Sequence, residues 1–378
     1  MTSLRSALKS ATALAAFSLS FPLASWAEEP LPVVATFSIL GDMVERIGGE
    51  HIALTTLVGP DGDAHVYQPT PKVARSVAEA DVLFLNGLEF EGWLERLAEA
   101  ASFGGAMVVA TKGVVPIAFD DHDEHDDHDD HDEHDDHDDH AEHDDHDDHD
   151  KHDDHDDHAD HDDHDDHEKH DDHDDHDDHD DHDDHDEHDE HDDHDDHAGH
   201  DHGAFDPHAW QSLENAVIYA NNIAAGLAQA DPENAGDYYA NRAAFITEVE
   251  TLRADIGAMM KSLPADKRTV VTPHDAFGYF AATYDLTFVA PQGMSTDSEV
   301  SAADVAALIT QIREESISAV FIESITDNRM MQQIANETGA TIGGTLYSDA
   351  LSAQSGPAST YLDMMRHNAT TLFDALGN

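Results

Sequence analysis

Short apolar runs alternate with longer segments of helical periodicity over most of the 378 residues. Before residue 120, runs at 33–37, 53–58, 82–85 and 107–110 predict β-strands, and helical patterns at 39–47, 72–80 and 92–101 separate them. Pro69 and Pro71 punctuate the start of the second helix. After residue 202, an Ala-rich helix is expected over 210–230, stopping before Asp231-Pro232. Residues 233–263 then run without an internal proline until Pro264. At about 1.5 Å per residue a helix there spans about 45 Å, long for a crossover and suited to a spine. The alternation resumes with strands at 269–272, 287–290, 319–322 and 340–343 and helices at 276–284, 302–315, 327–337 and 361–376. Strands of this kind alternating with helices predict parallel sheets covered on their faces. The expected fold is α/β: two lobes with mainly parallel sheets (28–232 and 264–378), joined by the long helix at 233–263, with a cleft between them.

Two stretches break this pattern. At the N-terminus, Arg5 and Lys9 precede an apolar, small-residue run from Ala11 to Leu23, and Ser25 and Ala27 stand at −3 and −1 of a peptidase site. The run is shorter than the roughly 20 residues of a spanning helix. It predicts a signal peptide cleaved after Ala27 and a soluble protein in the periplasm. No cysteine follows the cut, so no lipid can be attached there.

The second break, 120–202, is a low-complexity repeat, largely Asp-Asp-His, with a histidine at every third residue from His122 to His200 and one more at His202. With almost no apolar side chains it buries too little surface to offset its ordering entropy, so a disordered loop is expected. Three-residue spacing would line the imidazoles along one side of a polyproline II ridge. Most of the formal net charge of −67 resides in this tract. Such acidity excludes nucleic-acid binding through phosphates and favours cations.

The chain contains no cysteine. Disulfides, thiolate metal sites and cysteine nucleophiles are therefore excluded, and a metal must be held by imidazole and carboxylate. Ligands of open α/β sheets bind beyond the carboxyl ends of the strands. His65, His208, His274 and Asp349 fall just past strand ends or at a helix start, two from each half, so they could meet across the cleft. Three imidazoles and one carboxylate fill a tetrahedral shell at about 2.0–2.2 Å, which suits Zn2+ better than Mg2+ or Ca2+.

The words around these residues carry a family resemblance. They are Ala35-Thr-Phe-Ser-Ile-Leu-Gly-Asp42, Asp63-Ala-His65-Val-Tyr-Gln-Pro-Thr-Pro71, Ala80-Asp-Val-Leu-Phe-Leu-Asn-Gly87 with Trp93, Asp206-Pro-His208-Ala-Trp210, His274-Asp-Ala-Phe-Gly-Tyr279 and Tyr347-Ser-Asp349-Ala-Leu-Ser352. In combination they resemble the metal-binding receptors of zinc and manganese ABC transporters, the cluster A-I (cluster 9) solute-binding proteins. The resemblance covers both lobes. It implies His65, His208, His274 and Asp349 as metal ligands, with Asp349 replaceable by a water or a neighbouring acid. It also implies limited hinge motion about the backbone helix and an inner-membrane permease as partner. Zinc receptors of the family commonly carry a His- and acid-rich loop at this insertion point. Manganese-type members usually have Glu where His274 stands. Two departures are the missing second-lobe disulfide of some zinc receptors and the length of the repeat.

The function expected from these features is a periplasmic, monomeric zinc receptor that is not itself membrane-embedded, is not an enzyme, and delivers Zn2+ to an ABC importer. Alternatives are a manganese-type receptor, a periplasmic zinc buffer without a transporter, and a zinc hydrolase. The hydrolase needs an open coordination position and a general base. Four protein ligands leave no open position, and no His-Glu-x-x-His helix is present. The repeat, with weak sites at residues such as His122, His125, His128, His131, His197, His200 and His202, is expected to collect zinc. A pH sensor titrating near 6.5 and a solvated spacer are its other readings. Asp275 is expected as a helix N-cap, and Glu323 as an acceptor for backbone donors or a support behind the site. Trp93 and Trp210 are expected in the packing, and His51 and His367 on the surface.

Overall fold

The structure is a computed structural model that describes residues 29–118, 204–298 and 300–377. The expected signal peptide and the Asp/His repeat, with the accessory histidines His122 through His202 expected as weak metal sites, lie outside the described residues. Among those described, no helix is long and apolar enough to cross a membrane.

Four strands, β1 (Leu31–Phe37), β2 (Ile52–Val58), β3 (Val82–Leu85) and β4 (Ala106–Val109), form a parallel sheet in the order β2-β1-β3-β4. A second parallel sheet repeats that order: β6-β5-β7-β8, from β5 (Thr269–Val271), β6 (Thr287–Val289), β7 (Ala319–Glu323) and β8 (Thr341–Leu346). The helices between them are α1 (Ser38–Gly48), α2 (Pro71–Ala78), α3 (Leu94–Ala101) and α4 (Leu213–Ala230). The long α5 (Ala235–Lys261) leads to α6 (Gly278–Tyr284), α7 (Ala302–Glu314), α8 (Arg329–Thr338) and α9 (Tyr361–Leu376).

Local chemistry sets the helix starts. Thr70, Ser212, Ser301 and Thr360 each accept the backbone N–H three residues on, and Pro71 occupies the first position of α2, where its missing N–H costs nothing. The central strands are buried on both faces, as covered parallel sheets require: Val33 through Phe37 are all inaccessible or nearly so. α5 is about 40 Å long and turns a stripe of Tyr238, Phe245, Val249, Leu252, Ile256 and Met260 inward. It packs on α1 and α4 of the first half and on α6 and α9 of the second. One apolar core therefore runs from the first sheet through α4 and α5 to α9 and one face of the second sheet. A smaller cluster around Val271, Ile309, Val320 and Met331 fills the other face.

Some expected boundaries shift for visible reasons. The helix expected from residue 210 is a 3-10 turn, Ala209–Gln211, and α4 starts only after Ser212, whose extended backbone breaks the helix. α6 begins at Gly278 after Phe277, so Asp275 is not its N-cap. β8 extends to Leu346, which leaves Asp349 three residues past its end. Ala118 and Phe205, on either side of the stretch that is not described, pair as an antiparallel bridge. Asp206 N–H donates to the Ile117 carbonyl beside it, at 2.9 Å. The repeat is thus inserted between neighbouring points of one fold.

Candidate metal centre

In both sheets the strand order reverses beside the first strand, between β1 and β3 and between β5 and β7. Crevices beyond the carboxyl ends at such reversals are where open α/β sheets bind ligands. His274 follows β5, and Glu323 is the last residue of β7, so both stand at the second reversal. His65 lies in the loop after β2, His208 opens the turn before α4, and Asp349 follows β8.

The four residues expected as ligands converge. One ligand atom from each of His65, His208, His274 and Asp349 lies within 4.8 Å of all the others. Asp349 is the hub: Oδ2 is 3.3 Å from His65 Nε2 and 3.1 Å from His274 Nε2, and Oδ1 is 3.4 Å from His208 Nε2. A tetrahedral ion with ligands at about 2.0–2.2 Å separates neighbouring donors by about 3.3–3.6 Å. Two of the three carboxylate–imidazole distances fall within that edge and the third, to His274, is slightly shorter, so with small shifts the four residues could hold a tetrahedral ion. His208, His274 and Asp349 are wholly buried. His65 Nε2, His208 Nε2 and Asp349 Oδ1 are also buried without a hydrogen-bond partner, a cost that a cation at their centre removes.

Acids aim two of the imidazoles from behind. Glu323 Oε2 is 2.5 Å from His274 Nδ1, an ionic contact, while its Oε1 accepts the His274 N–H at 3.3 Å and Ser348 Oγ donates to Oε2 at 2.8 Å. Asp206 Oδ1 accepts the His208 N–H and also lies 2.8 Å from His208 Nδ1. A carboxylate on Nδ1 turns Nε2 toward the metal and raises its basicity. Burial disfavours charge on both rings, but Glu323 and Asp349 outweigh it and hold the His274 imidazole protonated well above its usual range. Asp349 and then Asp206 raise His208 in the same way. Burial likewise opposes ionisation of Asp349, yet His274 and His208 keep its carboxyl far below the usual carboxylate range. Carboxylates that hold protons on these rings can hold a divalent cation in their place.

His65 is steered differently. Its N–H donates to Asp63 Oδ1 at 2.9 Å, and its ring meets the edge of Phe90 with centroids 4.8 Å apart. Phe90 belongs to a cluster with Phe37 and Trp210. The loop that delivers Phe90 has positive φ at Gly87, Leu88 and Glu89, and a Cβ at Gly87 would fall 2.6 Å from Val109. Buried Glu91 pins this loop by accepting from Thr36 Oγ1 (2.6 Å), the Asn86 N–H (2.7 Å) and the Gly87 N–H (3.2 Å). Across the cleft, Trp210 Nε1 and Gln211 Nε2 each donate to the Ser348 carbonyl at 2.8 Å. Gly278 is small of necessity, since a Cβ there would lie 2.5 Å from Asp206 Oδ2. A cavity of about 890 Å3, lined by Tyr67, Phe90, Trp93, Phe205 and Met294, opens beside His65.

Asp206, Phe90 and Glu91 have no role assigned from the sequence, whereas Glu323 fills both roles expected of it, accepting the His274 N–H and backing the His274 ring. The repeated word Asp-x-His, at Asp63 and Asp206, was the available signal for Asp206. Trp93 and Trp210 are packing residues as expected, each also donating its indole N–H to a carbonyl. His51 pairs with Asp237 at 3.0 Å and His367 contacts the Thr345 carbonyl at 3.0 Å, and both are half-buried rather than fully on the surface. Neither joins the centre.

Comparison with known proteins shows the family and the fold. The family model of the periplasmic component A of zinc-uptake complexes, ZnuA, matches residues 33–375. The manganese-binding lipoprotein MntA of Halalkalibacterium halodurans is 25% identical over 349 residues, covering 92% of this chain and 89% of its own. The iron-binding protein YfeA of Yersinia pestis is 26% identical over 345 residues, covering 91% and 86%. Among solved structures, the periplasmic zinc-binding protein TroA of Treponema pallidum superposes with a TM-score of 0.68 at 22% identity, covering 92% of this chain and 99% of that one. A manganese-bound S38A mutant of a periplasmic metal-binding protein from Candidatus Liberibacter asiaticus gives 0.66 at 26% identity, covering 91% and 98%. Proteins of this kind are solute-binding receptors, not enzymes. With a family match across both sheets and the same two-lobed fold, the chain belongs to the ZnuA family, the cluster A-I metal-binding receptors of ABC transporters.

Proposed function

We propose that this receptor carries zinc, bound by His65, His208, His274 and Asp349, to an inner-membrane ABC importer. The observation that carries this is the donor set: three imidazole Nε2 atoms gathered around one buried carboxylate. Nitrogen-rich, four-ligand shells suit Zn2+. His65 and His208 come from the first lobe, His274 and Asp349 from the second, so one ion ties the lobes and their separation releases it. A signal peptide ending at Ala27 would place the protein in the periplasm, and the Asp/His repeat would raise the local zinc concentration near the cleft.

A manganese receptor is the second reading. Relatives named for manganese and iron support it, as does one feature of the site: both oxygens of Asp349 face imidazoles, which allows bidentate, higher coordination. Calorimetric competition between Zn2+ and Mn2+ on the chain without residues 121–202, whose repeat would otherwise take up the zinc, tests the first reading. Zinc should displace manganese from one tight site, and His65→Ala, His208→Ala or His274→Ala should each abolish that site. Retention of manganese against equimolar zinc would favour the second reading. A zinc buffer without a transporter differs in its genes: an ATPase and a permease encoded beside this chain would exclude it.

A further inference from the structure

The word Asp-x-His occurs twice at the centre, and the structure uses its two aspartates differently. In both copies Oδ1 accepts the backbone N–H of the histidine two residues on, at 2.9 Å for His65 and 2.8 Å for His208. Asp206 Oδ1 also engages the imidazole of its own histidine. Asp63 instead sends its second oxygen across the cleft, where Oδ2 accepts Thr296 Oγ1 at 2.6 Å.

Thr296 sits in a strap, residues 291–298, that is anchored to the other lobe. Gln292 Nε2 donates to the carbonyls of Thr296 (2.8 Å) and Ser298 (2.7 Å), which folds the strap on itself. At its base, Gln292 bridges to the backbone of His274, and the Asp275 N–H donates to the Gly293 carbonyl at 3.3 Å. A continuous path therefore runs from His65 through Asp63, Thr296 and Gln292 to His274. It joins ligands of opposite lobes without passing through the metal position. Met294, Ser295 and Ser298 of the strap line the cavity beside His65, so the strap also borders the route to the ion.

We propose that the Thr296–Asp63 hydrogen bond is a cross-cleft latch: it holds the strap closed against the His65 loop and slows release of the bound ion. Asp63 and Thr296 are positioning residues, acting through His65 and His274. The latch rests on the proposed assignment of these histidines as metal ligands. Because it is a single partly buried bond to a carboxylate, it is strong enough to set a rate and weak enough for a docking partner to break.

The test uses the full-length protein loaded with Zn2+ and mixed rapidly with excess chelator. Ions held by the repeat leave in fast phases, and the buried site leaves in a slow one, identified by its loss in His208→Ala. Thr296→Val keeps the shape of the side chain and removes its hydroxyl. It should accelerate the slow phase about tenfold, the size expected for one hydrogen bond to a charged group, with association changed less than twofold. Thr296→Ser restores the hydroxyl and should return the slow rate to within about twofold of the parent. An unchanged slow phase in Thr296→Val overturns the latch, as does a serine variant that releases as fast as valine. A parent protein without any slow phase overturns the site assignment and the latch together.

Discussion

Glu323 lies against the far side of His274, with Oε2 2.5 Å from Nδ1, while Nε2 of the same ring points at Asp349 3.1 Å away. The imidazole is clamped between two buried acids, one on each ring nitrogen, which fixes its aim. Glu323 reaches this position because β7 ends at the reversal of strand order beside β5, the strand that delivers His274. Asp206 and His208 form the equivalent pair at the first lobe's edge of the cleft.

Replacing Glu323 should therefore weaken metal binding although Glu323 would touch no metal. Carboxylates behind a ligating histidine are typically worth about 10–100-fold in affinity. Glu323→Gln, which preserves shape and can still accept from Nδ1, should fall near the lower end, and Glu323→Ala near the upper. Titration of each variant against a competing chelator measures this, and equal affinity in both variants and the parent would refute the clamp.

Deleting residues 121–202 should leave the fold and one tight site intact. The reason is the Ala118–Phe205 bridge, which already holds the two ends of the insertion side by side. The shortened chain should melt cooperatively and bind one metal ion per molecule, with the weaker ions lost. Calorimetry that finds no tight site after the deletion would transfer metal binding from the cleft to the repeat.

Asp42 predicts a pH dependence of stability separate from the metal. Its carboxylate accepts the Tyr361 N–H at 2.9 Å at the start of α9, tying α1 to the C-terminal helix. Burial, only partly offset by that hydrogen bond and by Arg46, pushes its pKa up to about 6. Since the folded value exceeds the unfolded one, its contribution is fully present below about pH 4 and is lost as pH rises through about 6. Asp42→Asn keeps an acceptor for Tyr361 and cannot ionise. It should be more stable than the parent at pH 7.5, by at most about 3 kcal/mol and less for the part of the group that water reaches. The gap should close by pH 4. Denaturant melts of the metal-free proteins at both values check the sign, and a gap that widens toward acid would reverse the assignment.

Much of the architecture could be read in the chain itself. Runs such as Val33-Val34-Ala35-Thr36-Phe37 are apolar at nearly every position, which suits a strand covered on both faces, and the eight strands among the described residues lie within a few residues of their expected places. The four convergent side chains were also legible, because His65, His208, His274 and Asp349 stand in distinctive words beside strand ends or helix starts. Helix starts were less legible: the chain before α4 and α6 follows the hydrogen bonds of Trp210 and the packing of Phe277, and neither follows from periodicity.

The sequence by itself determined the alternation of strands and helices, the exclusion of thiolate chemistry and the donor types of the centre, since these depend on local pattern and residue identity. Only the tertiary structure decided that Glu323 and Asp206 back the imidazoles, that Asp63 reaches across to Thr296, and that Asp349 is the hub. Apart from Asp206, which stands two residues from His208, those contacts join residues up to 284 positions apart (His65 and Asp349), and their distances follow from how two sheets pack around α5 rather than from spacing along the chain.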